Sequence, residues 1–570
     1  MGAARPRVHL LADRRASGVR PRRPPRADVA SRGSWWACGG RMDVMTDGQT
    51  PETSAPAQPA PQPGDQPLES RGSNRSQRPD SRAFTEFITS GWGPRPATTA
   101  APSPAAPYTA VRRARLGAQF PGARVVVPAG SFKVRSNDTD YRFRPHSAFA
   151  HLTGLGAEQE PDAVLVLHPV DDAHGDAPGG EDGEAVTSAT HRAVLYVRPL
   201  AGRDTEEFFS DSRYGEFWVG ARPTLDDLAS VTGIETAHLD GLRDALAKDV
   251  GEGGVQLLVV PDADETVEAV VEEIRAAEDA GLTDARLAEA LSELRLLKDE
   301  HEVAQMREAV DATIAGFAEV VRALPRATAH RRGERVIEST FGAHAREEGN
   351  AVGYETIAAS GEHATTLHWT DNDGQVRAGE LVLVDAGVEV DSLYTADVTR
   401  TLPVDGTFTD VQRRVYQAVL DAADAAFAVA VPGNRFRDVH AAAMEVIAAR
   451  LGEWGLLPVP VEEALSPEGQ QHRRWMVHGT SHHLGLDVHD CALARRELYL
   501  DAVIEPGMVF TIEPGLYFKS DDLLVPEEYR GIGVRIEDDV LITADGNENL
   551  SAALPRRPDD VEAWMAGLLG

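Results

Sequence analysis

Leu381-Val382-Leu383-Val384-Asp385-Ala386-Gly387 and, a short way on, Tyr394-Thr395-Ala396-Asp397-Val398-Thr399-Arg400-Thr401 set the reading of this chain. Both are apolar or β-branched runs with an aspartate inside them, the signature of strands that carry a charge into an interior. Three later segments repeat the theme. His482 lies in His478-Gly479-Thr480-Ser481-His482-His483-Leu484-Gly485, and Glu513 follows Val509-Phe510-Thr511-Ile512 and precedes Pro514-Gly515. Glu537 sits in Ile532-Gly533-Val534-Arg535-Ile536-Glu537-Asp538-Asp539. Singly, an Asp after a strand is a turn or cap residue, and Glu-Pro-Gly is a turn. Together they are four carboxylates and one imidazole placed beside strand residues. Buried carboxylates cost several kcal/mol unless paired or bound to a cation. A cation, or two, is the economical explanation.

The predicted elements bring these groups together. Residues 381–390 and 394–403 read as consecutive strands linked at Glu389-Val390-Asp391-Ser392, so Asp385 and Asp397 can share a ligand across the pair. Arg535 and Glu537 are two apart in a predicted strand over 531–543 and point to one face, with Ile532, Val534 and Ile536 on the other. Glu513 ends a strand over 507–513, because Pro514 cannot donate to a ladder. Helices are expected over 410–430 and 436–451. Thr409 with Gln412 forms a capping box, and Pro432-Gly433 is a stop. Four oxygen donors and one nitrogen make a hard to borderline set, favouring Mn²⁺, with Co²⁺ or Zn²⁺ as alternatives. So many anionic ligands suit two divalent ions better than one. Such a pair, roughly 3.5–4 Å apart, can hold a bridging water and lower its pKa.

Bulk properties remove other classes. A net charge of −33 argues against a nucleic-acid partner and against an anionic membrane surface. The only cysteines, Cys38 and Cys491, exclude a disulfide framework and a thiolate metal cage. No apolar run has the length of a membrane span. The first 41 residues are rich in Arg, Pro and Gly. Their one apolar stretch, Val8 to Ala12, is too short for a signal-peptide core, so secretion is not expected and the cytoplasm is. They read as a disordered tail, or as sequence upstream of a start at Met42 or Met45. Residues 46–82 are Pro-, Gln-, Ser- and Asp-rich and cannot form a core. Arg82 to Ile88 is a short amphipathic piece able to dock on the body, and 96–107 is linker again.

Residues 108–290 read as an α/β domain. Strands are predicted at 124–127, 163–167, 193–197 and 255–260, and helices at 224–231, 239–248 and 265–278. Val170 to Thr190 reads as a solvated loop. A long helix from Asp284 to Leu324 joins this domain to the next. The expected division is a tail and linker over 1–107, the α/β domain over 108–290, and a second domain of mixed strands and helices over 291–560.

These segments resemble the metal-dependent pita-bread peptidases, which include methionine aminopeptidase, prolidase and aminopeptidase P. The resemblance is strongest to aminopeptidase P, the Xaa-Pro aminopeptidases. It extends to Ser360-Gly361-Glu362 with Leu367-His368-Trp369-Thr370, and to Tyr141-Arg142-Phe143-Arg144 with Phe149 to Gly154. The likeness covers most of residues 108–550 and implies an α/β amino-terminal domain followed by an α+β pita-bread catalytic domain. It implies that Asp397 and Glu537 bridge two metals, that Asp385 completes one, and that His482 and Glu513 complete the other. His489 would steady the tetrahedral centre. His478 and His368 would line the pocket for proline and the leaving side. Arg535 and Tyr517 would support the carboxylates or the substrate, and Glu513 would shuttle the proton.

The implied reaction is release of the first residue from peptides with proline second, by attack of metal-bound hydroxide. A homo-oligomer, dimer or tetramer, is implied as well. Prolidase is the near alternative; it usually has glycine where this chain has Ser481. Creatinase lacks the metal ligands. A non-catalytic peptide-binding module would have lost ligands, and here all five positions are filled. Some residues have plainer readings. His478 and His489 could merely orient ligands. Arg535 could simply pair with Asp397 or Glu537, His483 could be structural, His363 could be a loop residue, and Cys491 has no nucleophile pattern around it.

Overall fold

Alternate residues of the amino-terminal strands bury on opposite sides, and this makes a sheet covered on both faces. In the computed structural model these strands are β1 (Ala123–Pro128), β2 (Val164–Pro169), β3 (His191–Val197), β4 (Glu235–His238) and β5 (Gln256–Val259). They form one sheet of order β4-β3-β2-β1-β5. β1 pairs antiparallel with β2 and parallel with β5. β3 pairs antiparallel with β2 and parallel with β4. Val125, Val127, Leu165, Leu167, Leu195 and Val197 enter one apolar cluster, and Val126, Val164, Val166, Val194 and Tyr196 enter another. The structure describes residues 79, 81–95, 100–137, 139–159, 161–170, 190–251, 254–275 and 281–570. The expected tail, the possible starts at Met42 and Met45, and nearly all of the loop expected over 170–190 lie outside them. The short amphipathic piece is a helix, α1 (Arg82–Ile88), capped by Ser81 and resting Phe84 on Phe209 at 5.6 Å between ring centroids.

The long helix expected from Asp284 is two helices. Beyond α2 (Ala106–Gln119) and the shorter helices of the amino-terminal domain, among them Leu225–Thr232, Leu242–Ala247 and Glu265–Ile274, the chain makes α3 (Gly281–Leu294) and α4 (Glu300–Thr328), with a break between. Periodicity runs through the break, but the Asp299 side chain accepts from the Glu302 amide and Glu302 returns the bond to the Asp299 amide. This capping box starts a helix where the apolar spacing alone would continue one. The break also buries Arg295 and Lys298 against Asp490, at 2.8 and 3.3 Å.

The carboxy-terminal half packs two three-stranded antiparallel sheets and two two-stranded pairs, one of them joining Ala351–Val352 to Val388–Glu389, under helix pairs. β6 (Ile357–Ser360), β7 (Leu381–Ala386) and β8 (Val398–Pro403) form one sheet with β7 central. β9 (Val509–Ile512) pairs with β12 (Asp538–Thr543), which also pairs with β13 (Gly546–Asn549). β10 (Gly515–Phe518) pairs with β11 (Ile532–Arg535). The strand expected over 531–543 is therefore split at Ile536 and Glu537. Its first part belongs to the hairpin and its second to a sheet; the Ile536 amide donates to Pro514 O and the Glu537 amide to Thr399 O. Arg535 and Glu537 do not share one strand face, as the spacing suggested, yet both reach the same pocket. The strand expected over 381–390 likewise breaks at Gly387, where a Cβ would fall 1.7 Å from Ala396 O. Helix α5 (Gly333–Glu348) packs with α4, and α6 (Asp410–Val429) with α7 (Phe436–Glu453). The capping box at Thr409 and Gln412 is present, and α6 stops before Gly433, whose φ is +92°. Phe317, Phe341, Val415, Tyr416 and Ile447 from these helices share one core with Val382, Val384, Phe510 and Val534 from the strands.

Candidate functional site

β7 and β8 are in register with Asp385 opposite Thr399, so Asp397, just before β8, lies near the same end of the pair. The segment around His482 runs antiparallel to β9. The Thr511 amide donates to His482 O, the Glu513 amide to Thr480 O, and the Leu484 amide to Val509 O. His482 and Glu513 thus come from adjacent chains, and Glu537 enters from the crossing between β11 and β12. All five line a cavity of about 610 Å³, together with Tyr354, Leu367, His368, His478, Ser481, His489 and Arg535. Asp397, His482 and Glu537 are tightest, with one donor atom each inside a 4.8 Å span. Nε2 of His482 is 3.3 Å from Asp397 Oδ2 and 3.8 Å from Glu513 Oε1. Asp385 stands beside this trio. Its Oδ2 pairs with Arg535 Nη2, and its Oδ1 accepts from the Tyr354 hydroxyl at 2.6 Å.

The electrostatics express crowding. Burial, then the charges of Asp397, Glu513 and Asp385, raises the Glu537 carboxyl far above its ordinary value. Burial raises Glu513 to about 7 against the pull of His482 and Arg535. Burial also raises Asp385, against Arg535. At His482 burial disfavours the charged ring, but Asp397 and Glu513 prevail and lift it to about 9. Acids that share a buried pocket with each other's charge are what a divalent cation relieves. The oxygen-rich donor set with one imidazole fits such an ion.

The auxiliary residues form a chain along one wall. Nε2 of His478 meets the Tyr517 hydroxyl at 2.8 Å, Arg535 Nη1 donates to that hydroxyl at 3.2 Å, and Arg535 Nε donates to Thr399 Oγ1 at 3.1 Å. Thr399 in turn donates to Glu537 Oε2 at 2.7 Å. Arg535 pairs with Asp385, not with Asp397 or Glu537 as its simplest reading had it. Burial and then Arg535 hold the His478 ring down at about 3. His489 and His368 are exposed at the pocket, with the His489 ring 4.6 Å from that of His482. His483 is buried away from the pocket and stacks on Phe436 at 4.9 Å. Cys491 is buried, and that burial pushes its thiol up to about 12, the opposite of a nucleophile. A second cavity, about 480 Å³, shares His489 and is walled by Lys133, Arg142 and Arg144 of the amino-terminal domain.

Residues 304–544 match the model of metallopeptidase family M24, and residues 109–257 match that of the aminopeptidase P amino-terminal domain. Xaa-Pro aminopeptidase 1 of Streptomyces coelicolor is 47% identical over 92% of this chain and 100% of its own length. The chain belongs to the aminopeptidase P family. Another member, Xaa-Pro aminopeptidase 2 of Streptomyces coelicolor, is 49% identical over 86% of this chain and 97% of its own. The solved aminopeptidase P from E. coli, with the inhibitor Pro-Leu, superposes with a TM-score of 0.68 at 30% identity, covering 82% of this chain and 99% of that one. The family's order of an amino-terminal domain before a metallopeptidase domain is the order found here.

Two residues at the aminopeptidase P centre escaped the reading of the sequence. Tyr354 donates to Asp385 and, at 2.5 Å, to Asp397 Oδ1, tying two carboxylates with one hydroxyl. Thr399 links Arg535 to Glu537. The only signal for Thr399 was its place two residues after Asp397 on one strand face. Tyr354 gave none, since it lies in a loop between Gly353 and Glu355.

Proposed function

We propose that this chain removes the first residue from peptides whose second residue is proline, using a dinuclear centre held by Asp385, Asp397, His482, Glu513 and Glu537. The observation that carries the reading is the convergence of these five groups from separate segments on one cavity, in a chain of this family. Asp385, Asp397, His482, Glu513 and Glu537 would hold the ions, with Asp397, His482 and Glu537 the most closely grouped. Divalent ions bound there supply positive charge that acidifies water and polarises a carbonyl oxygen. Manganese is the first candidate, with cobalt or zinc as alternatives.

A peptide bond before proline has no N–H, and the ring excludes many pocket shapes. The acidic cavity attracts the free amine of the first residue, which restricts the reaction to the chain's beginning. Glu513, which lines the cavity beside His482, would take the proton of the attacking water and deliver it to the proline nitrogen. His489, at the open side, hydrogen-bonds the developing oxyanion. His478, braced by Tyr517 and Arg535, and His368 wall the proline site. The same reading assigns 108–290 to the amino-terminal domain and 291–560 to the catalytic one, with 1–107 outside both. It also expects work in the cytoplasm as a homo-oligomer, dimer or tetramer, with no nucleic-acid or membrane partner; no described helix is long and apolar enough to cross a membrane.

The test is hydrolysis of Xaa-Pro-Yaa peptides by chelated protein, before and after adding back each metal. Activity should vanish on chelation and return with metal. Asp385→Ala and Glu537→Ala should show no metal-dependent release of the first residue. Full turnover by either variant refutes the ligand assignment, and cleavage of dipeptides alone would make the enzyme a prolidase.

A further inference from the structure

The loop Gly361 to Gly374 carries Leu367, His368 and Thr370 to the cavity, and it is folded around a carboxylate from another element. Glu334, near the start of α5, is fully buried. Its Oε1 accepts from the Ser360 amide at 2.8 Å and from His363 Nδ1 at 2.7 Å. Its Oε2 accepts from Trp369 Nε1 at 2.9 Å and from the Gly374 amide at 2.6 Å. All four donors belong to one stretch, residues 360–374, and they fill the acceptor capacity of a carboxylate. The His363 ring stacks on Trp369 at 3.9 Å between centroids, so two of the donor side chains hold each other as well. The approach is close: a Cβ on Gly374 would lie 2.7 Å from Glu334 Oε2. Asn372 closes the loop from the other side, accepting from the Ala358 amide at 2.9 Å and donating to Thr356 O at 2.8 Å.

A buried carboxylate is an expensive way to pack a loop and is tolerated only when fully hydrogen-bonded. What it gives in return is geometry. Four directional bonds fix the loop between Ser360 and Gly374, and the stretch from Leu367 to Thr370 is the part that faces the cavity. We propose that Glu334 is a positioning residue: it sets the loop that presents Leu367 and His368 to the proline site, and acts on turnover only through that loop. This rests on the proposed peptidase reading and deepens it, because it assigns the proline-site geometry to a side chain outside the cavity.

The test is a double-mutant cycle. Glu334→Gln keeps the shape but sets an amide N–H₂ against two of the four donors. It should lower kcat/KM on an Xaa-Pro-Yaa peptide by about 10–100-fold, the loss typical of a misplaced contact group. In a His368→Ala background the same change should cost less than about threefold, the mark of a shared pathway. Trp369→Phe keeps the stacking ring and removes one donor; it should show the same coupling at smaller size, and it decides alone if Glu334→Gln does not fold. Bound metal should stay at the wild-type level in both variants, while amide exchange rises within 361–374. Equal fold-losses in both backgrounds, or unchanged kcat/KM in the single variants, would overturn the proposal. Failure of the underlying reading looks different: metal-loaded wild-type protein would release no residue. Full activity of His368→Ala alone would sink the positioning role and the His368 assignment together.

Discussion

Tyr354 shows what one side chain adds at the centre. Its hydroxyl bridges Asp385 and Asp397, and burial followed by those two charges raises its own pKa far above the ordinary tyrosine value, so it stays a donor. Without it both aspartates keep their backbone positions but lose a common orienting bond. Tyr354→Phe should therefore retain the fold and weaken divalent-metal affinity or turnover by about 10–100-fold, the usual range for groups that orient ligands. Metal titration followed by assay of the reloaded enzyme checks this; unchanged affinity and turnover would deny the role. Four of the five candidate ligands were legible because a carboxylate inside a β-branched run conflicts with its surroundings, and His482 through the histidine-rich segment beside them. Tyr354 conflicts with nothing locally, as a tyrosine in a loop is ordinary. Its partners are 31 and 43 residues away in sequence, so only the folded chain reveals them.

At the scale of elements, local signals marked starts and stops better than they marked continuity. The Thr409–Gln412 box begins α6 where the sequence put it, with the Gln412 amide donating to Thr409 Oγ1 at 3.3 Å and the Thr409 amide to Gln412 Oε1 at 2.9 Å. Thr409→Ala should cost about 1 kcal/mol of stability, read as a lower denaturation midpoint at unchanged slope. No shift in midpoint would mean that packing of α6 against α7 leaves its start without weight. The helix predicted as unbroken from Asp284 carries a capping box of the same kind, and there apolar periodicity masked the box. The strand predicted over 531–543 failed for a different reason. Both halves are extended and apolar on alternate residues, but they find partners in different pairings, Gly515–Phe518 and Val509–Ile512. Strand propensity does not name a partner.

At the scale of the whole molecule, ion pairs, several of them buried, latch the amino-terminal domain and the interdomain break to the catalytic half. Arg112 pairs with Asp299 at 2.7 Å, and Arg144 with Glu389 at 2.7 Å. Asp490 receives Arg295 and Lys298, which sit in the break between α3 and α4. Burial alone would raise the Asp490 carboxyl, but Arg295 and Lys298 outweigh it and hold it at about 2. Its unfolded value is about 3.9. The stability this group contributes is therefore complete above about pH 4 and is lost as pH falls through about 2, an amount on the order of 2 kcal/mol. In Asp490→Asn that acid-side slope should flatten. At neutral pH the variant should be less stable by about 3–5 kcal/mol, since buried Lys298 loses its ion-pair partner and buried Arg295 keeps only Asp487. Urea unfolding from pH 7 down to acid compares the two proteins, and identical slopes would remove Asp490 from the account.

The pita-bread domain came from the resemblance to a family, while the sequence by itself marked many of the strands and helices, an α/β character for residues 108–290, and the five groups proposed to hold a cation. Those are local properties: period, capping chemistry, and the cost of placing charge among apolar residues. Only the tertiary structure decided that Asp385 pairs with Arg535, that Tyr354 ties it to Asp397, that one predicted strand serves two pairings, and that Glu334 stands behind the His368 loop. Each of these joins residues far apart in the chain through a bond a few ångströms long. No spacing rule encodes such a distance, because it exists only once the intervening chain has packed.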